Sequence, residues 1–338
     1  MPGRTLDVHV HLIPPEVQRG PGEGSSLPKL EWEDGRQVID YRGRRISAMV
    51  SDFGDLDRMI ERTAALGIDR LLLSPWVNLL AENFDGDEAQ VMAERQNRGL
   101  LRAVEAHPGR ALALGTVPLR DPPDAAAHLR DLVQAPGFEG VEISSSVEGD
   151  LLGHDRFRPF WAAAEETGVL VFIHPSQQGL GIAGLTQHRL WNLVGNPTET
   201  ALTAAHMVMA GVMEDHPGLK VLLAHGGGTI LSLRGRLEHG WKLGGEVTSQ
   251  LRHSPDESLR RFFYDTVTHD SHMLRRLVEF AGADHVLLGS DHPFDMAPAD
   301  PVGFVKSAGL APADEDLVLG AAAVAILRGG DRHQGNHI

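Results

Sequence analysis

Eight short apolar runs, each followed by a stretch of helical periodicity before the next run begins, limit what this chain can fold into. The runs are TLDVHVH (5–11), DRLLLSP (69–75), ALALGTVP (111–118), GVEISS (140–145), VLVFIHPS (169–176), KVLLAHGG (220–227), FFYDTVTH (262–269) and HVLLGSDHPF (285–294). Most are continuously apolar, the pattern of parallel strands covered on both faces. The segments between them carry helix signals. DLDRMIERTAALGI places Leu56, Met59, Ile60, Ala64 and Leu66 near helical spacing, with Asp55 as N-cap and Gly67 as stop. Right-handed crossovers between such units give either a closed barrel or a doubly wound sheet, and eight strands favour closure. The expectation is one (β/α)8 TIM barrel over residues 1–330 that forms a single catalytic domain, followed by a polar tail at 331–338.

Two stretches break the repeat. Residues 14–54, after strand one, are rich in Gly, Pro and charge, with a hairpin signal at Asp34-Gly35; residues 177–199 follow strand five and mix glycines with Leu180, Leu185, Leu190 and Trp191. Both leave C-terminal strand ends, the barrel face where active sites are built. They read as loop insertions that wall the site, the first as an active-site loop or lid.

Composition then excludes several classes of function. A chain of 338 residues that is 42% hydrophobic can bury a large core, and its lack of cysteine removes disulfides, a thiolate nucleophile and any cysteine metal site. No basic-then-apolar leader and no long uninterrupted apolar stretch is seen, so the expectation is a cytoplasmic protein with no membrane partner. A formal charge of −15 and 5% aromatic residues argue against nucleic acid. An anionic small substrate therefore needs a local cluster of positive charge.

That cluster is suggested by where the histidines fall. Of 18 in the chain, His9 and His11 lie on strand one, His174 closes strand five and His225 closes strand six, while Asp291 closes strand eight. All point to one end of one barrel. Positions i and i+2 of a strand share a face, so His9 and His11 can take two adjacent corners of a metal's coordination sphere, with His174 and Asp291 available for the rest. Phe53 and Trp191 are candidates to line a substrate pocket.

DVHVHLIP, FIHPS, LLGSDHPF and above all the block LVGNPTETALTAAHMVMAGVMEDHPGLKVLLAHGGG carry a resemblance over nearly the whole chain. The sequence resembles the amidohydrolase superfamily, and within it the family-2 branch that includes aminocarboxymuconate-semialdehyde decarboxylase. The resemblance implies a barrel of the metal-dependent hydrolase type. Its metal ligands would be His9, His11, His174 and Asp291 around one divalent ion, zinc in the first instance and manganese as the alternative. His225 and Asp291 would be the catalytic residues. Binuclear members of the superfamily carry a strand-four lysine, which GVEISSS lacks, so one metal is implied, although Glu142 sits in that strand. The implied reaction is non-oxidative decarboxylation of a small unsaturated or aromatic-derived carboxylic acid in aromatic compound catabolism, with metal-bound water and His225 doing acid/base work. Hydrolysis of a C–C, C–N or lactone bond is the alternative. Arg236 aligns with a family arginine that enters the neighbouring subunit's site and grips a substrate carboxylate, which implies a homodimer. The family's other substrate arginine falls near Met49 and Val50 here, with Arg44 and Arg45 a few residues earlier.

Overall fold

The computed structural model describes residues 5–18, 29–33, 36–41, 44–48, 51–176, 183–245 and 251–327. Its strands, in chain order, are β1 (Leu6–Leu12), β2 (Lys29–Glu33), β3 (Arg36–Tyr41), β4 (Arg44–Ala48), β5 (Arg70–Pro75), β6 (Ala111–Gly115), β7 (Phe138–Ser144), β8 (Ser146–Val147), β9 (Asp150–Leu151), β10 (Leu170–His174), β11 (Lys220–Leu223), β12 (Phe263–Asp265) and β13 (Val286–Leu287). Eight of them form one sheet in the order β1-β5-β6-β7-β10-β11-β12-β13, and every ladder in it is parallel. Beyond Leu287 the chain leaves the strand pattern but keeps bonding to β1. Val8 N donates to Leu288 O, Asp291 N to His9 O and His11 N to His292 O, each at 2.8 Å, and these bonds close the barrel.

The helices between strands form where the caps and apolar spacing require them. Leu56–Ala65 starts at Asp55, whose side chain accepts from Arg58 N at 3.0 Å, buries Leu56, Met59 and Thr63, and ends before Gly67 at φ +83°. Arg158–Thr167 stops at Gly168, the left-handed C-cap that a residue with a Cβ adopts only with strain. Apolar side chains divide between two faces of the sheet. Leu72, Leu112, Leu114, Leu170, Phe172 and Leu222 belong to one buried cluster, whereas their neighbours Leu71, Leu73, Ala113, Val171, Ile173 and Val221 belong to the layer packed with helix residues such as Ala125, Leu129, Phe160 and Trp161. On β1, Leu6 and Val8 belong to the first cluster but Val10 and Leu12 to the second. The change of parity coincides with a register shift between Asp7 and Val10. Such a bulge re-aims side chains, and here it puts His9, which meets the Phe172 ring at 4.8 Å, on the face of the inner cluster.

The first insertion contains a three-stranded antiparallel sheet, β2-β3-β4. Glu33 pairs with Arg36, so the flanks of the expected Asp34-Gly35 hairpin are in place, while the turn itself lies outside the described residues. Met49, Val50 and the tail at 331–338 also lie outside them. The insertion begins and ends at one point, since Ile13 N donates to Phe53 O at 2.7 Å. In the second insertion, residues 177–182 lie outside the described set; a π-helical turn at Trp191–Gly195 runs directly into the helix Asn196–Met209.

Candidate metal centre

At the C-terminal ends of β1 and β10 and in the turn after β13, one ligand atom each from His9, His11, His174 and Asp291 lies within 4.8 Å of all the others, and all four residues are buried. His9 Nε2 is 3.1 Å from His11 Nε2 and 3.2 Å from Asp291 Oδ1, and His11 Nε2 is 3.4 Å from the same oxygen. Ligands at about 2.0–2.2 Å from a tetrahedral ion lie about 3.3–3.6 Å apart, so these three atoms sit within about 0.2 Å of the spacing a small divalent cation requires.

The ring nitrogens turned away from this point are all engaged. His9 Nδ1 meets Asp265 Oδ2 at 2.6 Å, His11 Nδ1 meets Pro75 O at 2.9 Å, and His174 Nδ1 meets Pro175 O at 3.1 Å. An Nδ1–H that donates to an oxygen leaves the Nε2 lone pair free, which is the tautomer a metal needs. His174 Nε2 and Asp291 Oδ1 are buried without a hydrogen-bond partner. Two imidazole nitrogens facing each other beside an unpartnered carboxylate oxygen form a donor set that calls for a shared cation.

Electrostatics agree with this arrangement. Burial presses the His9 imidazolium down, but Asp291 and Asp265 outweigh it and push the group up to about 10. The carboxylates thus draw positive charge to this spot, and a metal ion supplies it without a proton. Burial and the neighbouring His11, His225 and His9 hold His174 well below the usual imidazole range, so it is neutral. Burial pushes the Asp291 carboxyl up, yet the neighbouring imidazoles of His9, His11 and His225 hold it well below the usual carboxylate range. Glu142 does not join the four. Its Oε2 is 3.8 Å from His11 Nδ1, the nitrogen turned away from the site, and burial pushes its carboxyl up to about 7.

His225 follows β11 at φ +56° and brings Nε2 to 3.6 Å from Asp291 Oδ2. Its ring centroid lies 5.5 Å from that of His9 and 5.3 Å from that of His174. A cavity of about 410 Å³ opens at this point, lined by both His225 and Asp291. Most of its wall is apolar, with Leu231, Met273 and Met296, and its polar lining includes Asn192, Asn196, Thr268 and His269.

The structure therefore brings together His9, His11, His174, His225 and Asp291, the five residues at predicted strand ends. It does not bring in the three expected substrate residues. Phe53 is fully buried one layer behind the site, with its ring 5.4 Å from Trp76 and 4.9 Å from Phe294, and Phe294 in turn is 5.3 Å from the His11 ring. Trp191 is half-buried, and the next two residues of its π-helical turn, Asn192 and Leu193, supply the cavity wall. Arg236 is exposed on the outer helix Ile230–Leu243. Sequence reasoning also missed Asp265 and the cavity residues Asn192, Asn196 and Thr268. The available signal for Asp265 was a lone carboxylate inside the apolar run FFYDTV.

The family model described as Amidohydrolase matches residues 6–329. A 2-amino-3-carboxymuconate-6-semialdehyde decarboxylase from Dictyostelium discoideum is 29% identical over 308 residues, which cover 89% of this chain and 85% of that protein. The crystal structure of 5-carboxyvanillate decarboxylase LigW from Sphingomonas paucimobilis superposes with a TM-score of 0.81 at 23% identity, covering 96% of this chain and 99% of that one. A dihydroxybenzoic acid decarboxylase from Polaromonas sp. JS666, with bound manganese and the inhibitor 2-nitroresorcinol, superposes with a TM-score of 0.77 at 19% identity, covering 96% and 97%.

Proposed function

The chain belongs to the amidohydrolase family, and from that premise we propose that it is a metal-dependent decarboxylase of a small aromatic or unsaturated carboxylic acid. The observation that carries this reading is the convergence of three imidazoles and Asp291 beside a cavity that His225 also lines. Named relatives and structural neighbours that are decarboxylases of such acids support it.

His9, His11, His174 and Asp291 would hold the ion. When bound, a divalent ion supplies positive charge that holds and polarises a substrate oxygen, answering the need for local charge in a chain of formal charge −15. His225, outside the ligand set, donates a proton to the substrate carbon that bears the carboxylate. The bond from that carbon to the carboxylate then breaks, its electron pair restores the unsaturation, and carbon dioxide leaves. Asp291 Oδ2 stands 3.6 Å from His225 Nε2, so the carboxylate that would hold the ion and the proton donor share one wall of the cavity. The apolar wall at Leu231, Met273 and Met296 suits a planar unsaturated skeleton and keeps water from the reacting carbon.

The finer assignments belong to the same proposal. Three imidazoles with one carboxylate suit zinc, and manganese in a structural neighbour makes it the other metal to test. Arg236, exposed on its own subunit, would serve a partner's site in a homodimer and grip the substrate carboxylate. The insertion at 14–54 would act as lid, with Phe53 and Trp191 supporting the wall from behind, within a single barrel domain. Among the described residues no helix is long and apolar enough to cross a membrane, and we place the protein in the cytoplasm. The test is a panel of aromatic and unsaturated acids given to protein loaded with zinc or manganese, with carbon dioxide release and oxygen-18 uptake followed together. Carbon dioxide with no solvent oxygen in the product is expected. Oxygen-18 in the product without carbon dioxide overturns decarboxylation in favour of hydrolysis.

A further inference from the structure

We propose that Asp265, at the end of β12, is a positioning residue that sets the ligand His9 and the acid/base residue His225 in register. This rests on the metal-centre reading above. Asp265 is fully buried, and its carboxylate accepts four hydrogen bonds. Oδ2 takes His9 Nδ1 at 2.6 Å and His225 N at 2.9 Å; Oδ1 takes Gly226 N at 2.7 Å and Val267 N at 3.0 Å. Two carboxylate oxygens offer about four lone-pair sites, so its acceptor capacity is filled.

Each bond has a definite consequence. The bond to His9 fixes Nδ1 as the protonated nitrogen and turns the Nε2 lone pair toward the other ligands. His11 and His174 achieve this with the neutral carbonyls of Pro75 and Pro175, so among the three His9 alone is held by a carboxylate, a stronger and more basic acceptor. The bonds to His225 N and Gly226 N hold a turn that histidine seldom adopts. His225, Gly226, Gly227 and Gly228 all have φ between +56° and +75°, a left-handed run whose first two amides converge on one anion. The turn has no room to relax. A Cβ on Gly226 would lie 2.6 Å from Thr268 Cγ2, one on Gly227 2.7 Å from the Tyr264 ring, and one on Gly228 1.8 Å from Pro197 O. One carboxylate therefore fixes both the tautomer of a metal ligand and the backbone that displays the proton donor.

Asp265→Asn is the sharpest perturbation, because an amide has one oxygen and cannot accept on both sides. Its NH2 must face either His9 Nδ1 and His225 N or the Gly226 and Val267 amides, all donors. Competition of the purified protein with a zinc chelator should show zinc affinity weakened about 10- to 100-fold. At saturating zinc, kcat should fall at least about tenfold with KM little changed, and D265N should add nothing in an H225N background, where there is no imidazole left to position. If D265N does not fold, nitrogen-15 histidine NMR of the wild-type protein loaded with zinc gives the answer. The proposal expects His9 protonated at Nδ1, and the Nε2–H tautomer overturns it. A D265N protein that keeps wild-type zinc affinity and kcat and loses only melting temperature also overturns it. Zinc alone is the probe in the affinity and NMR measurements. Failure of the decarboxylase reading would instead appear as a wild-type protein that binds zinc but releases no carbon dioxide.

Discussion

Replacing His225 by Asn separates proton transfer from every other property of the site. The substitution suits the backbone, because Asn is one of the few residues with a Cβ that readily accepts φ near the +56° found here. The amide N–H that meets Asp265 Oδ2 at 2.9 Å is retained. His225 is outside the group of four that could hold a metal, so zinc should bind with wild-type stoichiometry. What is lost is the imidazole whose Nε2 stands 3.6 Å from Asp291 Oδ2 at the cavity wall. General acid–base catalysis by one group is worth about 10²- to 10⁴-fold, so the loss of transition-state stabilisation should be about 3–5 kcal/mol, seen in kcat with KM nearly constant. The assay is carbon dioxide release under steady-state conditions, with metal content measured on the same sample by mass spectrometry. Loss of zinc from H225N would make His225 a ligand and refute the division of roles. A kcat within tenfold of wild type would refute the acid assignment.

Other perturbations test neighbouring parts of the structure. His11→Ala should deplete metal and activity together, and full metal occupancy in the purified variant would contradict the ligand set. Gly228→Ala should be among the most destabilising single changes, by about 3 kcal/mol or more, because the new Cβ would meet Pro197 O at 1.8 Å; an unchanged urea midpoint would refute the packing described. Burial pushes Glu82 up to about 7 from an ordinary 4.5, against the bond its Oε1 accepts from Ser144 N. A carboxyl raised in the folded state binds more protons folded than unfolded, so its contribution is full below about pH 4.5 and is lost as pH rises to about 7. Metal-free protein should therefore lose up to about 3 kcal/mol across that window through this group, and Glu82→Gln should remove that part of the slope in urea titrations at successive pH values. A slope unchanged in E82Q would show that Glu82 is not the group responsible.

Much of the barrel could be read from the chain because continuous apolar runs and capped helices are local signals. Asp55 and Gly67 bound their helix as their chemistry requires. The same runs overstated the last strands. FFYDTVTH has a ladder only at Phe263–Asp265, after which Thr268 N turns back to donate to Thr266 O; HVLLGSDHPF has one only at Val286–Leu287, after which Leu288 N donates to Val318 O instead of to a strand. Strand ends bent to present side chains no longer look like strands. The β2-β3-β4 sheet was legible only as a hairpin, since RRISA is too short and too polar to declare a third strand. The candidate ligands were legible because four of them fall at the ends of apolar runs, whereas Asp265 was one of 46 acidic residues, and its role depends on contacts 40 and 256 positions away in sequence. Phe53 misled for the opposite reason. An aromatic residue near a site reads equally as lining or as core, and only the rings of Trp76 and Phe294 decide between them.

The hydrogen bond from Ile13 N to Phe53 O has a consequence for how this barrel can change. It makes the stretch between them an excursion that leaves and rejoins the scaffold at one knot, with Phe53 pressed into the aromatic layer as an anchor. Lengthening or shortening such an excursion changes its closure entropy only by the logarithm of its length, about 0.6 kcal/mol per doubling. Residues 19–52 can therefore be exchanged as a cassette that leaves the histidines below untouched, provided that Ile13 and Phe53 remain to tie the ends and Val17 and Glu16 keep their seats in the core and on Arg102.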